Sequence, residues 1–179
     1  MHINDISVVI CNKNSLEFLK KSIPIYKKMQ FKEIFVIDGD SFDGSREYLK
    51  DQNIKLYSDH GKGLSYSRQM GVSKSKGDFI FMAGPDDICD EYFFTKLCVE
   101  FEKSNLDAAT TLLKIKTQVT YWDKSLSQWY AYIRKPGKTN IIGTPTIFKR
   151  KIFQYVSYDE NTIGCDDTYI SNELIMKGY

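Results

Sequence analysis

Four short apolar runs, separated by segments of helical character, constrain the fold of this chain more than any other feature. The runs are rich in β-branched and aromatic residues and lie at 6–11, 33–37, 54–57 and 79–83. The segments between them that we predict to be helical are 15–29, 45–52 and 64–76. Alternating strands and helices of these lengths predict an α/β fold, with a mostly parallel, Rossmann-like sheet and helices on both faces.

The second half of the chain departs from this alternation. The predicted elements there are a helix at 90–103, strand-like runs at 108–121 and 141–148, and a helix at 168–177. Pro24 falls inside the first predicted helix, where we expect it to kink or divide that helix. A chain of 179 residues suits a single core, so we predict one domain over 1–179.

The charge pattern argues against a nucleic-acid partner. The chain has 25 basic and 23 acidic residues, a net charge of +2, spread along its length. A local excess of lysine at 13–32 predicts a solvated helix face, and it leaves weak attraction to an anionic membrane open. The chain shows no signal-peptide pattern and no apolar run of membrane-spanning length. We therefore predict a cytoplasmic location, with peripheral attachment at the inner face of the membrane left open.

The cysteines and histidines do not suggest a zinc site. Four cysteines and two histidines occur, without a C-x-x-C pair. The predicted state of the cysteines is therefore free, buried thiols in a reducing compartment.

Two adjacent carboxylates, Asp86 and Asp87, follow the apolar run at 79–83. In open α/β sheets, ligands bind at the carboxyl ends of the strands. Oxygen ligands at such a place suit Mg²⁺ or Mn²⁺, which share their coordination with waters and substrate phosphates. The alternative is that one of these carboxylates, or Asp90, caps the following helix.

The other predicted strands also end in polar loops, and in a doubly wound sheet these loops converge at one edge. Asp38 follows a buried run and is placed to accept hydrogen bonds from a base or a ribose, although the segment 38–45 also fits an ordinary turn before a helix. Arg68 lies one turn into a helix, either on a solvated face or within reach of a diphosphate. The chain lacks the G-x-G-x-x-G and G-x-x-x-x-G-K-[ST] patterns, which removes support for a dinucleotide-binding domain or a P-loop hydrolase.

An ordered set of segments resembles the family 2 glycosyltransferases of the GT-A fold. The segments are SVVICNKN at 7–14, FVIDGDSFDGS at 35–45, SRQMG at 67–71, KGDFI at 76–80, PDDI at 85–88, GTPTIFKR at 143–150 and GCDDT at 164–168. The resemblance covers nearly the whole chain. Family members usually continue beyond the point that corresponds to residue 179, so the resemblance implies a domain that lacks C-terminal elements.

The resemblance implies an inverting transferase that moves a sugar from a nucleotide-sugar donor, UDP above all, to a saccharide or lipid-linked acceptor in cell-surface polysaccharide synthesis. By this resemblance Mn²⁺ or Mg²⁺ is the cofactor and Asp87 its ligand, and either Asp166 or Asp167 is the general base. The implied nucleotide-binding residues are Asn12, Asn14, Asp38, Arg68 and Asp86. When two carboxylates share a site, the pKa of one of them is raised, which favours a base role for one member of the Asp166–Asp167 pair.

Two departures from the family pattern occur, and two other functions remain open. Gly84 stands where many members carry an aspartate, and Asn12 stands where many carry threonine.

A sugar-nucleotide nucleotidyltransferase is one alternative function, but the segment 10–14 has no glycine to hold a triphosphate. A non-catalytic nucleotide-sugar binding domain is the other. The aromatic residues of 121–132 fit either stacking on an acceptor sugar or packing, in the core or against a partner chain, and packing is the simpler interpretation.

Overall fold

A computed structural model describes residues 1–111, 120–133, 137–162 and 164–179. The strands are β1 (Ile6–Asn12), β2 (Glu33–Asp38), β3 (Lys55–Ser58), β4 (Phe79–Ala83), β5 (Ala108–Thr110) and β6 (Thr146–Lys149). The α-helices are α1 (Leu16–Tyr26), α2 (Ser45–Asp51), α3 (Leu64–Lys74), α4 (Glu91–Lys103), α5 (Tyr121–Ile133) and α6 (Asp166–Met176). Two short 3₁₀ helices lie at Ile3–Asp5 and Arg150–Gln154.

The strands form one sheet in the order β3-β2-β1-β4-β6-β5. The first four are parallel to one another, whereas β6 runs antiparallel to both of its neighbours. The predicted α/β class and the mostly parallel sheet are therefore confirmed.

Helices cover both faces of the sheet because its central strands are apolar on both faces. Val8 and Ile10 of β1 belong to a buried cluster that includes side chains of α1, α2 and α4. Val9 lies between them in sequence and belongs to a second cluster with side chains of α3 and α6. Successive strand residues point to opposite faces, so one continuous apolar run supplies both layers of the core.

Several predicted boundaries differ from the structure. The helix α1 is continuous through Pro24 and ends two residues later, so the proline neither divides it nor begins a second helix. The predicted strand at 141–148 begins only at Thr146, because Pro145 has no N–H to give to a ladder. The predicted strand at 108–121 is a strand only at Ala108–Thr110, and 112–119 lies outside the described residues. The helix α5 was not predicted.

Among the helices of the described ranges, none is long and apolar enough to cross a membrane.

Gly77, between α3 and β4, is expected to tolerate no side chain. A Cβ at this position would lie 2.5 Å from the carbonyl oxygen of Asp5 and 2.7 Å from the amide nitrogen of Ser7. Because both atoms belong to the backbone, Gly77→Ala should lower the free energy of unfolding by about 1–3 kcal/mol, measured by urea denaturation. Gly39→Ala is the control, since its nearest neighbour at 3.4 Å is the flexible side chain of Lys13. Equal unfolding midpoints for the two variants would contradict this prediction.

Candidate functional site

The carboxyl ends of β1, β2 and β3 lie side by side at one edge of the sheet. In the strand register Asn12 is paired with Asp38, and Asp38 with Ser58. The strand β4 runs parallel to β1 and ends at the same edge. The polar loops therefore converge as the alternating sequence pattern predicts.

The carboxylate of Asp38 is fully buried and accepts hydrogen bonds from two other polar side chains. Its Oδ2 accepts hydrogen bonds from Asn12 Nδ2 at 2.8 Å and from Ser41 Oγ at 2.7 Å. Its Oδ1 accepts one from the backbone amide of Ser41 at 2.8 Å, and Arg46 Nε is 3.9 Å away. Several donors thus offset the cost of burying this charge.

Asn14 holds together the two loops that follow β1 and β2. Its backbone is in the left-handed region, with φ of 50°. Its amide nitrogen donates to Ser41 Oγ at 2.8 Å, and its side-chain Oδ1 accepts from the amide of Phe42 at 2.9 Å. In this structure Asn14 therefore fixes the loop around Asp38.

A cavity of about 190 Å³ opens beside these loops. Its lining residues are Cys11, Asn12, Lys13, Gly39, Asp59, Gly61, Gly63, Leu64 and Ser67. Asp59 is 1% exposed and accepts hydrogen bonds from Ser67 Oγ at 2.5 Å and from the amide of Gly61 at 2.8 Å. Asp59 and Ser67 were not among the predicted site residues; the sequence signal at this place is the pair of glycines at 61 and 63, which is typical of a loop. Asp38 is not part of the lining, whereas Asn12, which donates a hydrogen bond to Asp38, is part of it.

Arg68, Asp166 and Asp167 form an ion-paired cluster in which Arg68 and Asp166 are buried. The Arg68 guanidinium makes ion pairs through Nη1 with Asp166 Oδ2 and with Asp167 Oδ1. Arg68 is 5% exposed, Asp166 is 6% exposed, and the side chain of Asp167 is 40% exposed. The Tyr158 ring lies 5.9 Å from the guanidinium carbon of Arg68. The alternative of a solvated face for Arg68 is therefore wrong.

The charges in this cluster act on one another. Burial raises the pKa of Asp166, whereas Arg68 lowers it and Asp167 raises it. Burial also raises the pKa of the Cys11 thiol to about 12, although Arg68 opposes that shift. Desolvation disfavours the charged form of Arg68, but Tyr158 and the two aspartates together raise its pKa. Arg68 thus stays a cation, and it keeps the pKa of Asp166 below the value that burial alone would give.

Asp86 and Asp87 lie in the loop after β4, and neither caps the next helix. That cap is Asp90, whose side chain accepts a hydrogen bond from the amide of Phe93 at 2.9 Å. Asp87 Oδ2 accepts from the amide of Gly84 at 2.7 Å, and the backbone oxygen of Asp87 accepts from the Tyr26 hydroxyl at 2.7 Å. Asp86 is exposed. The loop therefore fixes Asp87 and presents Asp86 to solvent.

This loop can contribute carboxylates to a metal ion but does not form a complete protein cage. Within the part of the chain that the structure describes, no three His, Cys, Asp or Glu residues are grouped to hold a metal. Mg²⁺ and Mn²⁺ are commonly held by one or two carboxylates together with substrate phosphates and water. One ordered and one exposed carboxylate fit that mode.

Two structural interpretations are tested by the helices α5 and α6: helix capping by Asp166 or Asp167, and packing of the aromatic residues of α5. The N-cap of α6 is Cys165, and Asp166 and Asp167 are the first two residues of the helix, so neither is the N-cap residue. On α5, Tyr121 and Trp122 are 78% and 79% exposed, so these two aromatic residues do not pack in the core; packing against a partner chain and stacking on an acceptor sugar both stay predictions.

The fold and the polar sheet edge define the class of the protein, an α/β domain with the GT-A architecture of glycosyltransferases. The mannosyltransferase PcManGT from Pyrobaculum calidifontis, solved with GDP-Man and Mn²⁺, superimposes with a TM-score of 0.74 at 14% identity over 98% of this chain and 53% of that one. S. aureus TarS in complex with UDP-GlcNAc gives a TM-score of 0.70 at 13% identity, over 94% of this chain and 52% of that one.

The chain belongs to glycosyl transferase family 2, whose model matches residues 7–157. It is 33% identical over 114 residues to a cholesterol galactosyltransferase from Borreliella burgdorferi, covering 60% of this chain and 31% of that protein. It is 26% identical over 136 residues to the glycosyltransferase GlyG of Streptococcus pneumoniae, covering 72% of this chain and 43% of that protein. The chain thus spans less than half the length of these two relatives.

Proposed function

We propose that this domain transfers a sugar from a nucleotide-sugar donor to a saccharide or lipid-linked acceptor in cell-surface polysaccharide synthesis, with inversion at the anomeric carbon. The observation that carries the proposal is the ion-paired cluster of Arg68, Asp166 and Asp167. In this cluster the Arg68 guanidinium, a group suited to binding a diphosphate, contacts the carboxylates of both candidate bases. The cluster lies at the edge of the sheet where the parallel strands have their carboxyl ends. Donor and acceptor chemistry thus have suitable groups within one small region.

In the proposed reaction, Asp166 or Asp167 accepts the proton of an acceptor hydroxyl. The acceptor oxygen bonds to the anomeric carbon on the face opposite the leaving group, and the bond from that carbon to the diphosphate oxygen breaks. The nucleoside diphosphate leaves with the bonding electron pair, so negative charge grows on its oxygens. Arg68 stabilises that charge once the donor draws it away from the two aspartates.

The remaining predicted residues take the nucleotide end of the donor in this proposal. Asn12, Asn14 and Asp38 build the region that holds the base, and Asp86 contacts the ribose or a metal-bound water. Asp87 is the ligand of Mn²⁺ or Mg²⁺. The metal, when bound, neutralises charge on the diphosphate. The solved relatives with UDP-GlcNAc and with GDP-Man and Mn²⁺ support both a nucleotide-sugar donor and a divalent metal.

The first test is thermal stabilisation of the purified chain by UDP, GDP, dTDP and CDP, each with Mn²⁺ or with EDTA. A ligand at 100 times its Kd stabilises the native state by about 2.7 kcal/mol, which is roughly 5–10 °C for a domain of this size. We expect a metal-dependent shift with at least one nucleotide. A shift with none would contradict the proposed function, whereas a metal-dependent shift without sugar transfer would favour a non-catalytic nucleotide-sugar binding domain. Release of pyrophosphate from a nucleoside triphosphate and a sugar phosphate would instead identify a nucleotidyltransferase.

Arg68→Gln provides a test through pH. Arg68 lowers the pKa of Asp166, so its removal should raise that pKa. If Asp166 is the base, it must be deprotonated in the free enzyme, so the acid limb of kcat/KM should move to higher pH. Arg150→Gln is the matched control, because Arg150 is 4.0 Å from Asp78 and is not part of the Arg68 cluster or of the nucleotide-binding loops. An unshifted acid limb in Arg68→Gln would remove Asp166 as the base.

We further propose that the acceptor is reached at a membrane surface through α5. The relative from Borreliella burgdorferi is named for a lipid acceptor, cholesterol, and exposed Trp and Tyr side chains are typical of protein surfaces at the membrane interface. Trp122→Ser should reduce cosedimentation with anionic vesicles. Phe42→Ser, which removes an 88% exposed apolar residue elsewhere, is the control. Equal cosedimentation of the two variants would contradict the membrane assignment.

A further inference from the structure

The arginine of the candidate site lies against an aromatic ring as well as against two carboxylates. The guanidinium carbon of Arg68 is 5.9 Å from the centre of the Tyr158 ring. Arg68 and Tyr158 are both buried, and the Tyr158 ring also stacks on Phe153, with ring centres 6.2 Å apart. The face of an aromatic ring attracts a cation within about 6 Å, and the attraction is larger where water is excluded. Tyr158 therefore stabilises the Arg68 cation in a buried place.

Tyr158 is held by the same helix that carries Arg68. The backbone amide of Tyr158 donates a hydrogen bond to Gln69 Oε1 at 2.9 Å. The next carbonyl oxygen, that of Asp159, accepts a hydrogen bond from Ser65 Oγ at 2.6 Å. Ser65 and Gln69 are one turn apart on α3, and Arg68 lies between them in the sequence. The place of Tyr158 relative to the arginine is therefore fixed by two side chains of one helical turn.

The Tyr158 ring and the two carboxylates differ in what happens to them when a donor binds. In the proposed reaction the diphosphate draws the guanidinium away from Asp166 and Asp167, so both ion pairs are lost. Burial raises the pKa of Tyr158, which keeps its hydroxyl protonated and its ring neutral. A neutral ring does not have to be displaced by an anion, so Arg68 is able to keep this contact while it binds the diphosphate.

We propose that Tyr158 is the positioning residue of Arg68, and that its ring holds the guanidinium in place when the donor diphosphate replaces the two aspartates as the partner of the cation. The inference rests on the proposed function, since it assigns Arg68 to the diphosphate. Tyr158 touches neither donor nor acceptor in this arrangement and acts through Arg68 alone. The ring carries the role and the hydroxyl does not, because the contact with the guanidinium is made by the ring.

The test is a double-mutant cycle on the affinity for UDP, measured by titration calorimetry of the full chain with Mn²⁺. GDP takes the place of UDP if GDP is the nucleotide that binds. In protein that carries Arg68, Tyr158→Leu should weaken binding by about 2- to 30-fold, the range of a cation–π contact. In protein with Arg68→Gln, the same change should leave affinity unaltered, because the group on which the ring acts is gone. A purely structural role would weaken binding by the same factor in both backgrounds.

A series of fluorinated rings separates the contact with the cation from the packing of the ring. Tyr158→Phe keeps the ring and removes the hydroxyl, so it should bind UDP as wild-type protein does. Partly and fully fluorinated phenylalanine, incorporated at position 158, keep the shape of the ring but withdraw electrons from its face. Affinity for UDP should fall stepwise along this series. The series also decides the case in which a variant of the cycle does not fold or binds too weakly to measure.

Tyr155→Leu is the matched control, because Tyr155 lies in the same segment and is 63% exposed. It should keep the wild-type affinity. Equal weakening by Tyr158→Leu with and without Arg68, or equal affinities along the fluorinated series, overturns the inference and leaves the proposed function in place. Absence of binding by every nucleotide overturns both.

Discussion

One of the two single variants Asp166→Asn and Asp167→Asn is expected to lose sugar transfer. Both variants are expected to keep their nucleotide affinity largely intact. Asparagine keeps the shape of aspartate but does not accept a proton at neutral pH. General-base catalysis contributes about 10²- to 10⁴-fold to a rate, so the loss in kcat should fall in that range. Both carboxylates contact Arg68, and each single variant keeps the other carboxylate as a partner for the guanidinium.

The experiment measures transfer under saturating donor and, in parallel, nucleotide affinity by calorimetry. Asp107→Asn is the matched control, because Asp107 makes its ion pair with Lys149 at 3.0 Å and lies outside the candidate site. A fall in kcat at one position with unchanged nucleotide affinity supports the base assignment. Full transfer activity in both variants would show that neither aspartate is the base.

Asp87→Asn is expected to abolish metal-dependent binding of the nucleotide. The amide of Gly84 donates to Asp87 Oδ2 at 2.7 Å, so the asparagine keeps its place in the loop while it loses the negative charge that a divalent cation requires. The measurement is the difference in melting temperature between Mn²⁺ and EDTA in the presence of the preferred nucleotide. We expect this difference to vanish.

Asp90→Asn is the control for Asp87→Asn. Asp90 caps α4 in the same loop region, and asparagine is as good an N-cap as aspartate. This variant should therefore keep the metal-dependent shift. A retained shift in Asp87→Asn would remove Asp87 from the metal site and leave exposed Asp86 as the carboxylate to examine.

The sequence predicted the layout of the sheet because its signals are local. The runs that become β1, β2 and β4 are apolar on both faces, and such runs are typical of parallel strands covered by helices on both sides. The converging polar loops followed from the same pattern. The helix α5 was missed because its segment is rich in aromatic residues that suit strands as well as helices.

The contacts within the site were not predictable in the same way. Arg68 and Asp167 are 99 positions apart, and no spacing rule indicates that their side chains meet. The hydrogen bonds that Asn12 and Ser41 donate to Asp38 depend on the register of β1 against β2 and on the course of the turn after β2. The role of Asp59 in the cavity wall likewise depends on where the loop 59–63 folds back.

The sequence by itself determined the α/β class, the family resemblance and the edge of the sheet at which polar groups gather. These features depend on strand and helix periodicity, which is a pattern among residues that are close in the sequence. Only the tertiary structure decided that Arg68 is buried between two aspartates, that Asp90 and not Asp87 caps α4, and that Asn12 rather than Asp38 faces the cavity. These outcomes depend on the packing of distant segments and on which donors reach each buried acceptor. These contacts join residues that are far apart in the sequence, and no local pattern of residues indicates which of them meet in the folded chain.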